Sequence, residues 1–469
     1  MTLTVLGVIR AFNVLLLIYV VLVSALQLTL LVAAGLDLRE HRRGTRFALR
    51  QRLLSSTVLP RVSVLAPAYN EEATAVASVT ALLTLMYPQL EVVVINDGSS
   101  DNTMGVLIEA FDLVPVPQTF RQVLPIATVR AVLRSRTTPA LVVVDKENGG
   151  KADALNTGLC VGTGDLVCAI DADTLVEPDA LLRMVRPFLD TDDCVAAGGT
   201  IRVANGSEVR LGRVTNIRTP GSWLAGVQSV EYVRAFLFGR LGWNRLGGNL
   251  IISGAFGLFR REDVLSTGGY LHGSVGEDME LVARLRRRGR DGVPSRVHFV
   301  PDPVAWTEVP DSVKVLGRQR DRWHRGLSQV LWDYRGSIFN PRDGVLGLVV
   351  YPYFLMVELL APVIEAVGLV AFVVIIAIGA IDVPFAIAIF GLAYCFAVLL
   401  SLLAVLLDTC TSHPPPSRGD LCRLALWSIL EPLGYRQLTV YWRLKGIVGF
   451  LRGRSEWGVM TRSGFESAT

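Results

Sequence analysis

The stretch VSVLAPAYNEE, at residues 62–72, joins a run of β-branched and small apolar residues to an abrupt polar end. A second stretch of the same kind, VVVINDGSSD, follows at residues 92–101 and carries Asp97 near its tip. Continuous apolar runs of this length indicate strands that are buried on both faces, as in parallel sheets. We therefore expect the polar residues that end the two runs to lie at one edge of the same sheet.

Further apolar runs of strand length continue this pattern and are separated by helical stretches. They cover residues 127–133, 141–144 and 166–170. Strands that alternate with helices predict an α/β fold with a mostly parallel sheet covered by helices, here over residues 61–335. Such sheets bind ligands beyond the carboxyl ends of their strands.

The composition is too apolar for a soluble protein. The chain has 469 residues, of which 51% are hydrophobic and 19% charged, and its mean hydropathy is +0.44. Soluble domains contain about 25% charged residues, so we expect part of this chain to lie in a bilayer. The net charge of +4 is too small to indicate nucleic-acid binding. The six cysteines form no Cys-x-x-Cys pair and predict neither a zinc site nor a disulfide framework.

Residues 11–34 carry no charge and are long enough for one helix through about 30 Å of hydrocarbon. This run exceeds the apolar core of a signal peptide and no small-residue cleavage pattern follows it, so we expect it to be retained. The positive-inside rule places the arginines after it in the cytoplasm. These arginines are Arg39, Arg42, Arg43, Arg46, Arg50 and Arg52.

Apolar runs return at residues 345–381 and 383–407, and a weaker segment covers residues 424–441. The weaker segment contains Glu431, Pro432 and Arg436. We expect it to lie in the interface or to re-enter, because another full crossing would put the basic residues of the tail outside. Those residues are Arg443, Lys445, Arg452, Arg454 and Arg462.

Tyr69 and Glu71 follow the first apolar run and Asp97 ends the second, so we expect the three side chains to lie close together. An aromatic ring beside a carboxylate can stack on a nucleotide base and accept hydrogen bonds from it. The alternative is that Asn70, Asp97 and Gly98 only form turns.

A second group consists of GGKADALN at residues 149–156 and LVCAIDAD at residues 166–173. Asp171 and Asp173 follow an apolar run, and paired carboxylates can hold Mg²⁺ or Mn²⁺, which bridges diphosphate oxygens. Lys151 can add positive charge to the same phosphates. An exposed strand end with a helix cap would give the same pattern.

Two further groups are GEDMELVARL at residues 276–285 and GRQRDRWHRG at residues 317–326. Asp278 lies at an expected helix start, where the helix dipole stabilises negative charge and a carboxylate can act as a general base. An ordinary N-cap would look the same. The spacing of Gln319, Arg322 and Trp323 puts them on one helix face, suited to a diphosphate and a sugar. The alternative is an arginine-rich helix on anionic lipid.

In this order, the four groups resemble the processive membrane family 2 glycosyltransferases, which include cellulose, chitin, hyaluronan and poly-N-acetylglucosamine synthases. The resemblance covers residues 62–327, and WGVMTR at 457–462 is similar to the end of poly-N-acetylglucosamine synthase-like members. It implies a cytoplasmic GT-A glycosyltransferase domain at residues 38–335, whose interfacial helix carries Gln319, Arg322 and Trp323. An N-terminal transmembrane helix at 1–37 precedes this domain, and transmembrane and interfacial helices with a basic cytoplasmic tail follow at 336–469.

The resemblance also implies residue roles. Asp278 matches the catalytic base, and Asp171 and Asp173 match the metal and UDP motif. Ser253, Gly254 and Ala255 match the acceptor-side loop, where cellulose synthases have a different sequence, which argues against cellulose. The nucleotide-sugar residues implied by the resemblance are Tyr69, Glu71, Asp97, Lys151, Asp171, Gln319, Arg322 and Trp323, and Trp323 also frames the acceptor.

The implied activity is inverting, metal-dependent transfer of a sugar from a UDP-sugar to a growing β-linked polysaccharide, which also crosses the membrane. N-acetylglucosamine is the preferred sugar and Mg²⁺ or Mn²⁺ the expected ion. Expected partners are the donor, the growing polysaccharide, the plasma-membrane bilayer and an accessory membrane subunit, without nucleic acid. The alternatives are single-sugar transfer to a lipid carrier and a non-catalytic membrane subunit or channel.

Overall fold

The computed structural model describes residues 2–44, 59–171, 174–210, 212–289, 294–379, 381–411 and 416–454. Several residues named above lie outside these ranges. They are Asp173, the WGVMTR stretch at 457–462, Arg46, Arg50, Arg52 and Arg462.

The strands of the described residues build one large sheet and one small hairpin. Their bounds are β1 Val62–Ala68, β2 Leu90–Asp97, β3 Leu113–Val116, β4 Val129–Ser135, β5 Leu141–Lys146, β6 Leu166–Ile170, β7 Leu175–Val176, β8 Cys194–Val203, β9 Glu208–Arg210, β10 Arg213–Asn216, β11 Phe256–Arg260 and β12 Arg296–Thr307. The large sheet has ten strands in the order β3-β4-β5-β2-β1-β6-β11-β8-β12-β7, and β9 pairs with β10.

The helices of the described residues cover the sheet and continue into the membrane part. Their bounds are α1 Thr2–Gly44, α2 Ala75–Leu83, α3 Thr103–Phe111, α4 Lys151–Val161, α5 Ala180–Met184, α6 Arg186–Asp190, α7 Trp223–Val233, α8 Leu241–Leu246, α9 Arg261–Ser266, α10 Glu277–Arg288, α11 Val313–Asp333, α12 Tyr351–Tyr353, α13 Ala361–Ala377, α14 Val383–Thr411, α15 Arg418–Leu430 and α16 Tyr435–Leu451. The segments Arg234–Arg240, Leu346–Val350 and Phe354–Leu359 are π-helical, and Arg335–Ser337 and Pro341–Asp343 are short 3-10 helices.

The sheet is mixed, with a parallel centre. Strands β5, β2, β1 and β6 run parallel to one another, whereas β11 is antiparallel to β6 and β4 is antiparallel to β5. Each of the five apolar runs noted in the sequence is a strand, and the run at 127–133 corresponds to β4 on the antiparallel side. The expected α/β fold is confirmed. The parallel centre brings the carboxyl ends of β1, β2 and β6 to one edge, which is where Tyr69, Asp97 and Asp171 follow.

Two described helices are long and apolar enough to cross a membrane: Ala11–Arg43 and Val383–Thr411. A third crossing results if the pair Leu346–Leu359 and Ala361–Ala377 is counted as one span, although its halves meet at 40°. Pro362 lies in the first turn of α13, where it cannot donate the backbone hydrogen bond that would continue the preceding helix. The apolar run at 345–381 is therefore bent, not continuous.

The weak segment at 424–441 is two helices, α15 and α16, because Gly434 between them adopts a φ of 84°. Helix α16 packs closely along α11. A Cβ atom on Gly446 would lie 2.7 Å from the backbone oxygen of Asp321, and one on Gly317 would lie 2.6 Å from the Trp442 indole nitrogen. These glycines allow the two helices to approach each other, and the contact fixes the helix that carries Gln319, Arg322 and Trp323.

Helix α1 is attached to the sheet domain at its C-terminal end. Asn244 donates a hydrogen bond of 3.0 Å to Asp37, and His41 lies 2.7 Å from Asp302. A Cβ atom on Gly242 would lie 2.5 Å from the backbone oxygen of Leu30. The apolar helix and the sheet domain therefore share one packed boundary.

Candidate active site

A buried ion network orders the loop between β5 and α4. Lys146, with no exposed side-chain surface, lies 2.5 Å from Asp97 and 2.7 Å from Asp153. The backbone N–H groups of Gly149 and Gly150 donate to the Asp97 carboxylate at 3.0 and 2.8 Å. Asp97 therefore holds the start of α4, and its expected contact with a nucleotide base stays a prediction.

Tyr69 and Glu71 follow β1 in a turn that is tied to the turn after β2. Ser100 donates its backbone N–H to Asn70 at 2.8 Å, and the N–H of Glu71 donates to the Thr103 hydroxyl at 2.9 Å. The Tyr69 side chain is exposed. Its ring is accessible to a planar ligand at the strand edge.

Lys151 opens α4 and lies between two carboxylates, 2.6 Å from Asp171 and 3.4 Å from Glu277. Burial alone would lower the pKa of Lys151, but Asp171 and Glu277 raise it above its ordinary value. Burial raises the pKa of Glu277 to about 7, with Asp278 adding to the rise and Lys151 opposing it. A charged Lys151 at the N-terminus of a helix can bind the phosphate oxygens of a nucleotide.

Asp278 is joined directly to the acceptor-side loop. The backbone N–H of Gly254 donates to its Oδ2 atom at 3.1 Å, and the N–H of Met279 donates to Oδ1 at 2.8 Å. Gly276 is the N-cap of α10, and Asp278 lies inside the first turn. Asp278 is therefore not an N-cap residue, which was the alternative interpretation of its position in the sequence. Its carboxylate is partly exposed.

Trp323 is presented to the cavity by α11, with 45% of its surface exposed. The Arg320 guanidinium carbon lies 4.4 Å from the Trp323 ring centroid. Arg320 is held in turn by Glu231 at 2.7 Å, and the Tyr435 hydroxyl donates to Glu231 at 2.6 Å. This network holds the indole from behind and leaves its other side available.

A cavity of about 2040 Å³ connects these groups with the membrane helices. It contains most of the predicted site residues, namely Lys151, Asp171, Ser253, Gly254, Ala255, Asp278, Gln319, Arg322 and Trp323. It continues between α1, α13 and α14, where its lining includes Tyr19, Glu365 and Phe390. Tyr69, Glu71 and Asp97 are not among its lining residues and lie along the sheet edge.

Sequence reasoning missed the residues that support this site. Lys146 ends β5 and Glu277 precedes Asp278, and neither has a role predicted from the sequence. Arg320 donates a hydrogen bond to Glu231, although the two residues lie on different helices and are 89 positions apart in the chain. Lys146, two positions after the buried run at 141–144, was the one available signal, because a buried ammonium group at a strand end needs an acidic partner.

The described residues contain no cluster of three or more acidic, histidine or cysteine side chains that could hold a metal ion. Asp171 supplies one carboxylate beside Lys151, and its predicted partner Asp173 is outside the described ranges. Mg²⁺ is commonly bound by one or two carboxylates together with substrate phosphates, so the residues fit an ion that arrives with a nucleotide diphosphate.

The fold and this arrangement define an enzyme of the glycosyltransferase class. The family model described as "Glycosyltransferase like family 2" matches residues 60–326. The chain belongs to this family.

Curated relatives are similar over the same region. A probable glycosyltransferase, YdaM, of Bacillus subtilis is 29% identical over 60% of this chain and 59% of its own length. The poly-beta-1,6-N-acetyl-D-glucosamine synthase of Staphylococcus aureus is 28% identical over 58% of this chain and 56% of its own. The chain thus spans less than two thirds of either relative.

Solved structures are more distant. The mannosyltransferase PcManGT from Pyrobaculum calidifontis, in complex with GDP-Man and Mn²⁺, has a TM-score of 0.48 and 19% identity, covering 92% of this chain and 99% of that one. S. aureus TarS 1–349 has a TM-score of 0.39 and 14% identity, covering 80% of this chain and 91% of that one. At these TM-scores the likeness supports no statement about substrate.

The raised pKa of Glu277 predicts a pH-dependent stability. Between its ordinary pKa of 4.5 and its folded pKa of about 7, the folded protein holds a proton that the unfolded chain has lost. Rising pH through this interval therefore removes stability. Glu277→Gln keeps the neutral form, so its thermal midpoint should rise relative to wild type between about pH 5 and about pH 8.

The measurement is thermal unfolding of detergent-solubilised protein across this range. The matched control is Glu109→Gln, which changes an exposed glutamate. A difference between Glu277→Gln and wild type that stays constant with pH would contradict the assignment.

Proposed function

We propose that this enzyme transfers N-acetylglucosamine from a UDP-sugar to a growing β-linked polysaccharide, with inversion and a divalent ion, and that the product passes through the membrane. The observation that carries the proposal is the hydrogen bond of 3.1 Å between Gly254 and Asp278. It links the acceptor-side loop to the proposed base inside a cavity that also contains Lys151 and Trp323.

Asp278 has the geometry that a general base needs. Two backbone N–H groups fix its carboxylate, and part of the side chain faces the cavity. It would take the proton from the acceptor hydroxyl as that oxygen attacks the anomeric carbon on the face opposite UDP. One displacement converts an α-linked donor into a β-linked product without a covalent intermediate.

Lys151 and Arg322 are proposed to stabilise the departing diphosphate. Lys151 lies at the N-terminus of α4, where backbone N–H groups also favour negative charge. Asp171 and Asp173 would hold the divalent ion, which neutralises developing phosphate charge when bound. Each such electrostatic contact is commonly worth about 3–4 kcal/mol of barrier lowering.

The choice of N-acetylglucosamine is supported by likeness alone. The staphylococcal relative is named a poly-beta-1,6-N-acetyl-D-glucosamine synthase, and the resemblance of Gly149 to Lys151 and Ser253 to Ala255 favours the same product. Hyaluronan-like and chitin-like products are the next candidates.

The shape and lining of the cavity support passage of the product. Three glutamates within apolar segments line it, and each has a partner: Glu431 lies 2.7 Å from Arg234, Glu365 lies 2.7 Å from Arg436, and Glu358 accepts from Tyr353 at 3.4 Å. Ionisable groups at membrane depth usually face protein or water. We propose that α1, α13 and α14 line a conduit that begins beside Trp323, since a polar chain cannot cross hydrocarbon unaided.

The activity is tested by incubating purified protein with individual UDP-sugars and sizing the product. Wild type should form a polymer from UDP-N-acetylglucosamine. Asp278→Asn should form none while still binding UDP, because it loses only proton removal.

Asp192→Asn, which changes an exposed aspartate, is the matched control and should be fully active. Turnover by Asp278→Asn above a few per cent of wild type would rule out its role as base. A product that carries one sugar and partitions into organic solvent would favour transfer to a lipid carrier instead.

Removal of divalent ions should also abolish the activity. EDTA is expected to stop UDP release, and Mg²⁺ or Mn²⁺ should restore it, because Asp171 and Asp173 would hold an ion that supplies positive charge to the diphosphate. The measurement is UDP release with increasing metal after chelation. Full activity in EDTA would eliminate Asp171 and Asp173 as a metal site.

The conduit is tested with the protein reconstituted alone in sealed vesicles with donor outside. Labelled polymer should become protected from an added glycoside hydrolase. Gly368→Phe, which adds a ring inside the cavity opposite Leu16, should reduce protected polymer severalfold.

The control for the conduit experiment is Val374→Phe, which changes an exposed residue of the same helix. It should behave like wild type. Polymer that stays digestible while wild-type synthesis continues would mean that a partner carries it or that it does not cross.

A further inference from the structure

Arg240 ends the π-helical segment Arg234–Arg240 and lines the cavity just before the acceptor-side loop. Its guanidinium carbon lies 4.2 Å from the centroid of the Phe236 ring. Phe236 is buried and stacks on Phe299 of β12. A guanidinium that stacks on an aromatic ring is fixed in its plane and keeps its N–H donors in that plane available.

The described residues leave Arg240 without an ionic partner. Its Nη1 atom is buried and has no hydrogen-bond partner within the described ranges. The neighbouring arginines of the cavity differ, because Arg234 is paired with Glu431 and Arg320 with Glu231. Burial lowers the pKa of Arg240 to about 10, opposed by the charges of Asp278 and Tyr232.

A buried N–H donor without a hydrogen-bond partner is costly, and proteins keep one where a ligand or water completes it. A π-helical segment is likewise uncommon and is frequently found at functional sites. The two features coincide at Arg240, which is electrostatically coupled to Asp278 and shares the cavity with Ser253 and Gly254. The donor phosphates already have Lys151 and the start of α4, so the open partner position belongs to the acceptor side.

A sugar that offers a hydroxyl to Asp278 carries further oxygen atoms beside it, including hydroxyl oxygens and the carbonyl of an N-acetyl group. A guanidinium has only donors, in a fixed fork, and therefore matches such oxygens well. We propose that Arg240 binds the terminal acceptor sugar, donating hydrogen bonds to its oxygen atoms and so holding the attacking hydroxyl at Asp278. This inference rests on the proposed function.

The test compares Arg240→Gln and Arg240→Lys with wild type, using a β-1,6-linked N-acetylglucosamine oligosaccharide as acceptor. Arg240→Gln should raise the KM for this oligosaccharide about tenfold or more, the effect of losing hydrogen bonds to a charged donor. Arg240→Lys, which keeps the charge but loses the planar fork, should fall between the two. UDP affinity should not change, because Lys151 and the start of α4 remain intact.

Folding is separated from binding by thermal unfolding. Arg240→Gln removes a partly buried cation that has no ion pair within the described residues, so its thermal midpoint should equal or exceed that of wild type. Arg245→Gln is the matched control: this arginine lies five positions after Arg240 in the chain but is exposed, pairs with Glu40 of α1 and does not line the cavity. It should retain wild-type KM values.

Titration of UDP-loaded protein with the oligosaccharide gives a second readout that does not need turnover. Equal affinity in wild type and Arg240→Gln would overturn the inference. Loss of UDP binding together with a lowered thermal midpoint would also overturn it, since Arg240 would then be structural. Wild-type protein that releases no UDP from any UDP-sugar would instead refute the proposed function.

Discussion

The site depends on one buried cation, Lys146, which lies between Asp97 and Asp153 with no side-chain surface exposed. Breaking a buried pair of this kind by removing one partner costs about 3–5 kcal/mol, because the remaining charge has no water to solvate it. Asp97 closes β2 and Asp153 lies in the first turn of α4, so the pair fixes the helix on the sheet edge. The backbone N–H groups of Gly149 and Gly150 donate hydrogen bonds to the Asp97 carboxylate. Lys151 follows directly after Gly150, so its position depends on the same contacts.

From Lys151 the contacts continue across the sheet edge to the acceptor side. Lys151 contacts Asp171 after β6 and Glu277 at the start of α10. The close approach of Gly254 completes the connection: a Cβ atom there would lie 3.3 Å from the Lys151 ammonium and 3.4 Å from the Asp278 carboxylate. Such distances are tight for a side chain, so a glycine at this position allows the loop to touch both groups. These contacts connect Lys151, which is proposed to bind the donor, with Asp278, which is proposed to act on the acceptor.

The sequence predicted what depends on local pattern. Apolar runs and polar ends identified the central strands and the edge where Asp97 and Asp171 follow, and the i, i+3, i+4 spacing of Gln319, Arg322 and Trp323 placed them on one helix facing the cavity. The partners of those residues could not be predicted, because they come from distant segments. Glu231 holds Arg320 behind Trp323, and nothing in the local composition of α7 indicates this.

In the membrane part, the apolar helices were predicted from the sequence, but the bend within residues 345–381 was not. Hydropathy averages over a window and does not register a change of direction, so residues 345–381 read as one run although the helix bends before Pro362. It also treats Glu365 and Glu431 as isolated charges, whereas Arg436 and Arg234 neutralise them. Arg436 follows Glu365 by 71 positions, and Arg234 precedes Glu431 by 197 positions. Neither pairing can be predicted from the spacing of residues along one helix. Paired in this way, the four groups keep hydrogen-bonding atoms along the cavity while each pair carries no net charge, which lowers the cost of placing them among apolar helices.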